Sequence, residues 1–211
     1  MQYIEALLTG EIGMATFVAE MKSNSALQEQ LRELIPHEAR TDPDNSLWKK
    51  YSYYALKAKS FDFLEHLLKL HRFDGTIGDN LNIFGSICTV YTHFHPDIQC
   101  TDAYEEMYDL YLDVAADCFE GPECSSVLEK IIVDAFAEKT KKGRKAKAKE
   151  AIRSIFYYEG KKRPYWIQGA EWPMGMCNPM KFMSQKSRGE YVEFYFLDMD
   201  TGEMKTVRQD Y

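Results

Sequence analysis

The sequence predicts an α+β fold: a mainly α-helical body followed by a small C-terminal antiparallel β meander. Three observations carry that prediction. Apolar residues recur at helical spacing through most of residues 1–159. Beyond residue 160, Val192, Phe194 and Phe196 alternate with Tyr191, Glu193 and Tyr195, the period of a strand with one buried face. Turn signals flank that strand, Arg188-Gly189 before it and Asp200-Thr201-Gly202 after it. The division expected is a helical domain at 1–159 and a β module at 160–211.

In chain order, Ile4, Leu7 and Leu8 form a first short helical stripe. Phe17, Val18 and Met21 form a second after Gly13. Residues 26–35 place Leu27, Leu31, Leu34 and Ile35 on one face, with Ser25 as the expected N-cap and Pro36 beyond the end. The polar stretch 37–46, with Asp42, Pro43, Asp44 and Asn45, reads as a loop. Residues 47–70 read as one helix or two, with Trp48, Tyr51, Ala55 and Ala58 on one face and Phe61, Leu64, Leu67 and Leu68 on another. Gly75 and Gly78 mark 73–80 as a turn. Residues 81–91 read as a buried helix whose Gly85 and small neighbours imply close packing.

The clearest amphipathic helix is 101–119. Tyr104, Tyr108, Tyr111, Ala115 and Cys118 line one side, and Gly121-Pro122 ends it. Ser125 or Ser126 is expected to start the next helix, with Leu128, Ile131, Ile132, Ala135 and Phe136 facing inward. The Lys- and Ala-rich stretch that follows is expected to extend a helix through Phe156, with Gly143 as a break. Strands are expected at 180–184, 191–197 and 204–208. A lone three-stranded meander is marginal, so it should pack on the helices through Trp166, Trp172 and the methionines.

Of the 211 residues, 45% are hydrophobic and 14% aromatic, enough for a sizeable core. No run approaches the ~20 apolar residues of a membrane span. Met1 to Gly10 has no basic region of the signal-peptide kind, and the five cysteines are scattered without a CxxC, so a reducing, cytoplasmic setting is expected. The net charge of −7 hides a segregation: residues 97–138 hold twelve acidic side chains and one basic, and residues 139–188 hold fourteen basic and three acidic. Such blocks attract oppositely charged partners, or each other.

Motifs for nucleotide, metalloprotease and serine-hydrolase chemistry (P-loop, dinucleotide fingerprint, HExxH, GxSxG) are absent from the sequence. His93 and His95, with His66 and His71 upstream, are too few and too irregularly spaced for a zinc site, and Pro96 follows at once. Cys88 beside His93 fits a thiol–imidazole pair on paper, yet its apolar segment reads as core. Asp200-Thr201-Gly202 is a single copy of a signature that works only in pairs, so it reads as a turn. No catalytic residue, metal or cofactor is therefore assigned. The basic run from Lys139 to Lys149 has few aromatic neighbours and reads as a solvated face before a phosphate contact.

The feature that points to a function is the acidic stripe of Glu105, Asp109, Asp113 and Asp117, at steps of four, with Asp102 and Glu106 beside it. Tyr104 and Tyr108 flank it and would supply amphipathic anchors. Such a face suits a basic partner, because charge complementarity speeds encounter and fixes orientation.

The C-terminal stretch carries a recognisable pattern: Arg163-Pro-Tyr-Trp-Ile-Gln-Gly-Ala-Glu-Trp-Pro173, a proline-led strand ending in Gln185, the aromatic strand 190–198, Asp200-Thr-Gly-Glu203 and the terminal Gln209-Asp-Tyr211. It resembles a small bacterial module found in uncharacterised proteins and in immunity proteins of polymorphic toxin systems, over about a quarter of the chain. The resemblance brings no catalytic residues with it. It implies a protein-binding, immunity-like inhibitor of a basic toxin domain or another basic protein; the lack of a long apolar run argues against a membrane, and the acidic balance makes nucleic acid the less expected partner. The alternatives are an enzyme with a site near Cys88, His93 and His95, and a nucleic-acid accessory protein using residues 139–149.

Overall fold

A computed structural model describes residues 2–36, 62–115, 122–159 and 163–211. The predicted loop 37–46, residues 47–61 of the helix or helices predicted over 47–70, and Asp117 and Cys118 lie outside the described residues. The chain is α+β: helices precede a three-stranded antiparallel sheet. It divides into two compact units, Met1–Glu105 and Glu106–Tyr211, so the composition break at residue 160 falls inside the second unit. Among the described residues no helix is long and apolar enough to cross a membrane.

The first unit holds α1 (Gln2–Thr9), α2 (Met14–Ser23), α3 (Ser25–Arg32), α4 (Phe63–Leu70) and α5 (Ile77–Phe94). Each contributes one apolar stripe to a common core: Ile4, Leu7 and Leu8; Phe17; Leu27 and Leu31; Phe63 and Leu67; Ile83, Ile87, Val90 and Tyr91. Burial of these stripes is the main stabilising term for helices this short, which are marginal alone. Gly10 closes α1 at φ +83°, a conformation glycine adopts without steric cost.

Two expectations are corrected at helix starts in this unit. Asn24, not Ser25, caps α3: its side-chain oxygen accepts from the amides of Ala26 and Leu27. The turn expected at 73–80 is already helical from Ile77, because the Thr76 hydroxyl accepts from the Asp79 amide and starts α5 early. A Cβ on Gly85 would meet no atom of the described residues within 4 Å.

The helix α6 (Ala103–Ala115) contains the division between the units. The second unit continues with α7 (Pro122–Phe136), α8 (Lys141–Phe156), β1 (Lys181–Ser187), β2 (Tyr191–Leu197) and β3 (Met204–Asp210). α7 starts at Pro122, ahead of the expected serines. Proline suits a first helical position, where its missing N–H is no loss. Gly143 does not break α8. The break lies at 137–140, where Thr140 caps the new helix by accepting from the Gly143 amide.

The sheet runs in the order β1-β2-β3, with Val192 opposite Gln209 and Phe194 opposite both Gln185 and Val207. The alternation read in β2 is borne out: Val192, Phe194 and Phe196 are buried. Gly189 and Gly202 take positive φ in the two connecting turns, as the turn signals require. The sheet packs on α8 as expected through tryptophan: Trp172 meets Phe156 and Tyr157 edge-on, and also meets Phe182 and Phe196. Its indole N–H donates to the Met180 carbonyl at 2.8 Å.

Candidate functional site

α6 turns Leu110, Tyr111, Val114 and Ala115 inward, which leaves its carboxylates on the outer faces. In the second unit they meet the basic helix. Glu106 Oε1 lies 2.8 Å from Lys141 Nζ, and its Oε2 accepts from the Arg144 guanidinium at 2.8 Å. Asp113 Oδ2 lies 2.6 Å from Lys145 Nζ. The Lys141 ammonium, helped by Arg144, holds the Glu106 carboxyl below the usual carboxylate range, and Lys145 does the same for Asp113. Arg144 is further fixed over the Phe136 ring at 3.9 Å and donates to the Glu138 carbonyl at 2.9 Å. Asp109, Leu110 and Phe136 complete the lining of a cleft of about 250 Å³ between these charges. It can accept a cationic head on its carboxylates and an alkyl stem on its apolar floor.

The stripe read from the sequence is therefore split by its surroundings. Glu106 and Asp113 are engaged by the chain's own cations. Asp109 is exposed and makes no ion pair among the described residues. Asp102 and Glu105 are exposed and belong to the first unit. Tyr104 is half-buried there against Phe84, ring centroids 4.6 Å apart, and burial pushes its phenol up. Tyr108 is half-buried, and Asp117 lies outside the described residues. Lys141, Arg144 and Lys145 were read as part of the basic run and Phe136 as an inward-facing residue, whereas Leu110 was not singled out. The signal for the three cations was the segregation of charge along the chain, which already allowed the two blocks to attract each other.

Of the alternative site residues, Cys88 and His93 lie on α5 and His95 is its C-cap. Cys88 Sγ lies 2.8 Å from Cys100 Sγ. His95 is exposed and stacks on Tyr91 at 4.3 Å, and His93 lies edge-on to Phe94. Tyr91 donates to Glu5 Oε1 at 2.6 Å, and burial together with that carboxylate raises its phenol to about 12. Among the described residues no group of three His, Cys, Asp or Glu side chains is placed to hold a metal ion.

The C-terminal pattern has a structural explanation. Its polar letters stitch segment 163–180 to the sheet. Gln185 Oε1 accepts from the Tyr165 amide at 2.7 Å. Gln209 Oε1 accepts from the amides of Ile167 and Gln168, while its Nε2 donates to the Gly169 carbonyl. Asp198 accepts from the amides of Met176 and Asp200. These bonds satisfy backbone groups of a segment without regular structure. Compared with protein-family models, curated proteins and solved structures, the chain matches none of them.

Proposed function

We propose that this chain binds a basic protein partner at the carboxylate face of α6, as an immunity-type inhibitor binds a toxin domain, without turnover. The observation that carries the reading is the state of Asp109, exposed and without an ion pair among the described residues, between two carboxylates held by exchangeable lysines. Lys141 is 81% exposed and Lys145 46% exposed, so water already screens both pairs and they contribute little. A partner's arginine can displace either lysine at small cost. Arg144, 18% exposed and stacked on Phe136, stays as a fixed wall. The resemblance of the C-terminal segment to immunity proteins supplies the class of partner. The reading of residues 139–149 as a phosphate contact has less support, because Lys141, Arg144, Lys145 and Lys147 already face carboxylates.

The test uses the chain and its D109K variant as bait in native lysate at low and high salt, followed by association kinetics with the purified basic protein retained. The on-rate should fall with salt, drop about tenfold or more in D109K, and rise in K141E, where a competing internal cation is gone. Equal on-rates for all three proteins at low salt remove the α6 face from the interface.

A further inference from the structure

We propose that Ser86 is an activated nucleophile and that the first unit carries a serine-esterase site built from Ser86, His71, Asp79 and Asn82, acting on carboxylic esters. The helix sets the spacing. Asp79 and Ser86 are seven residues apart on α5, two turns, and so share a face. His71 ends α4 as its C-cap, and the connection 71–76 lays its ring across both. Its Nδ1 lies 3.5 Å from Asp79 Oδ1, and its Nε2 lies 3.4 Å from Ser86 Oγ. With the Nδ1 proton directed at Asp79, Nε2 presents its lone pair to the Ser86 hydroxyl. The two distances are long for hydrogen bonds, as nucleophile–base contacts often are before substrate binds.

The charges favour proton transfer in that direction. The His71 and Asp79 side chains are only 10% and 12% exposed, so their interaction is weakly screened. Asp79 sits in the first turn of α5, where the helix N-terminus favours a carboxylate. Its Oδ1 also accepts from the Arg72 amide at 3.4 Å, whereas Oδ2 is buried with no hydrogen-bond partner among the described residues. A carboxylate so incompletely compensated stabilises the imidazolium that forms when His71 takes the serine proton.

Ser86 is half-buried, and a Cβ on the neighbouring Gly85 would meet no atom of the described residues within 4 Å. Asn82, exposed and one turn before Ser86 on the same face, carries a carboxamide that makes no hydrogen bond among the described residues. It is the oxyanion donor of the site. Ser86 Oγ attacks the ester carbonyl carbon, its proton passes to His71 Nε2, and the carbonyl π pair becomes an oxyanion. Collapse of the oxyanion breaks the bond to the leaving alkoxide, which takes the proton from His71 and departs as an alcohol. Water, deprotonated by His71, then cleaves the acyl-serine, releasing a carboxylic acid and returning the proton to Ser86. Ser86 and His71 are the catalytic residues, and Asp79 is a positioning residue.

The test is covalent labelling of the full chain by a fluorophosphonate probe, read by intact mass and peptide mapping, with circular dichroism confirming that each variant is folded. One adduct per chain on Ser86 is expected, absent from S86A. Labelling should slow at least 100-fold in H71Q, the lower end of what a general base contributes. D79N should label slowly and D79E should recover part of the rate, which a merely structural Asp79 would not produce. No adduct on Ser86 in the folded wild-type chain overturns the proposal, as does a folded H71Q that labels at the wild-type rate.

Discussion

Gln209 tests whether the C-terminal pattern is stitched by hydrogen bonds. It is 2% exposed and makes four contacts: two accepted from Ile167 and Gln168, at 3.0 and 3.2 Å, and two donated to Gly169 O and Glu171 Oε1, at 2.7 and 3.2 Å. Gln209→Ala strips the partner from two backbone amides and a carbonyl. Each buried orphan costs about 1–3 kcal/mol, and water reaches the exposed Gln168 and Glu171, so a loss of about 2–4 kcal/mol is expected. With a urea m-value of about 2 kcal/mol/M this moves the midpoint down by about 1–2 M. Tryptophan fluorescence reports it, because Trp166, next to Ile167, lies tilted against Phe194 with ring centroids 4.5 Å apart. Gln209→Glu is the sharper control. It places a carboxylate oxygen against Gly169 O and Glu171, so it should destabilise at neutral pH and recover on acidification, when the acid regains a donor. A midpoint shift below about 0.3 M for the alanine variant, on the same m-value, refutes the stitching argument.

Three further outcomes follow from close contacts. Gly175→Ala would set its Cβ 2.7–2.9 Å from the Asp198 carboxylate atoms and should destabilise by about 1–3 kcal/mol, whereas Gly85→Ala, mid-helix in open space, should stabilise by up to about 1 kcal/mol in the same urea titration. The amides of Asp200 and Met176 hold the Asp198 carboxyl below its unfolded value, so its contribution is present at neutral pH and is lost as pH falls through the folded value. Acid titration of Asp198→Asn, followed by circular dichroism, should show a shallower low-pH loss than wild type. Peroxide should convert Cys88 and Cys100, whose sulfurs are 2.8 Å apart, to a disulfide: a thiol-reversible mass loss of about 2 Da that is absent from C88S and from C100S.

How much was legible in advance follows from what kind of interaction each feature is. The β2 alternation, the two glycine turns and the stripes of α1, α2 and α3 are properties of residues a few positions apart, and they came out as read, whereas Leu68, expected beside Leu64 and Leu67, is exposed. The helix starts were read less well. Asn24 and Thr76 cap where Ser25 and residue 81 were expected, because several neighbouring side chains can accept the same first-turn amides and only backbone geometry selects one.

The acidic stripe was visible as charge at steps of four. The sequence does not tell which carboxylates α8 engages: Glu106 meets Lys141 and Arg144, Asp113 meets Lys145, and Asp109 meets none of these. Nor does any spacing rule connect His71, Asp79 and Ser86, since their meeting depends on how α4 hands the chain to α5. The amino-acid order alone determined fold class, the buried face of β2 and charge segregation, because pattern and turn chemistry act locally. Which charges are satisfied, which polar letters are structural and which side chains converge was decided only by tertiary packing, because those contacts join residues whose separation in sequence carries no periodic signal.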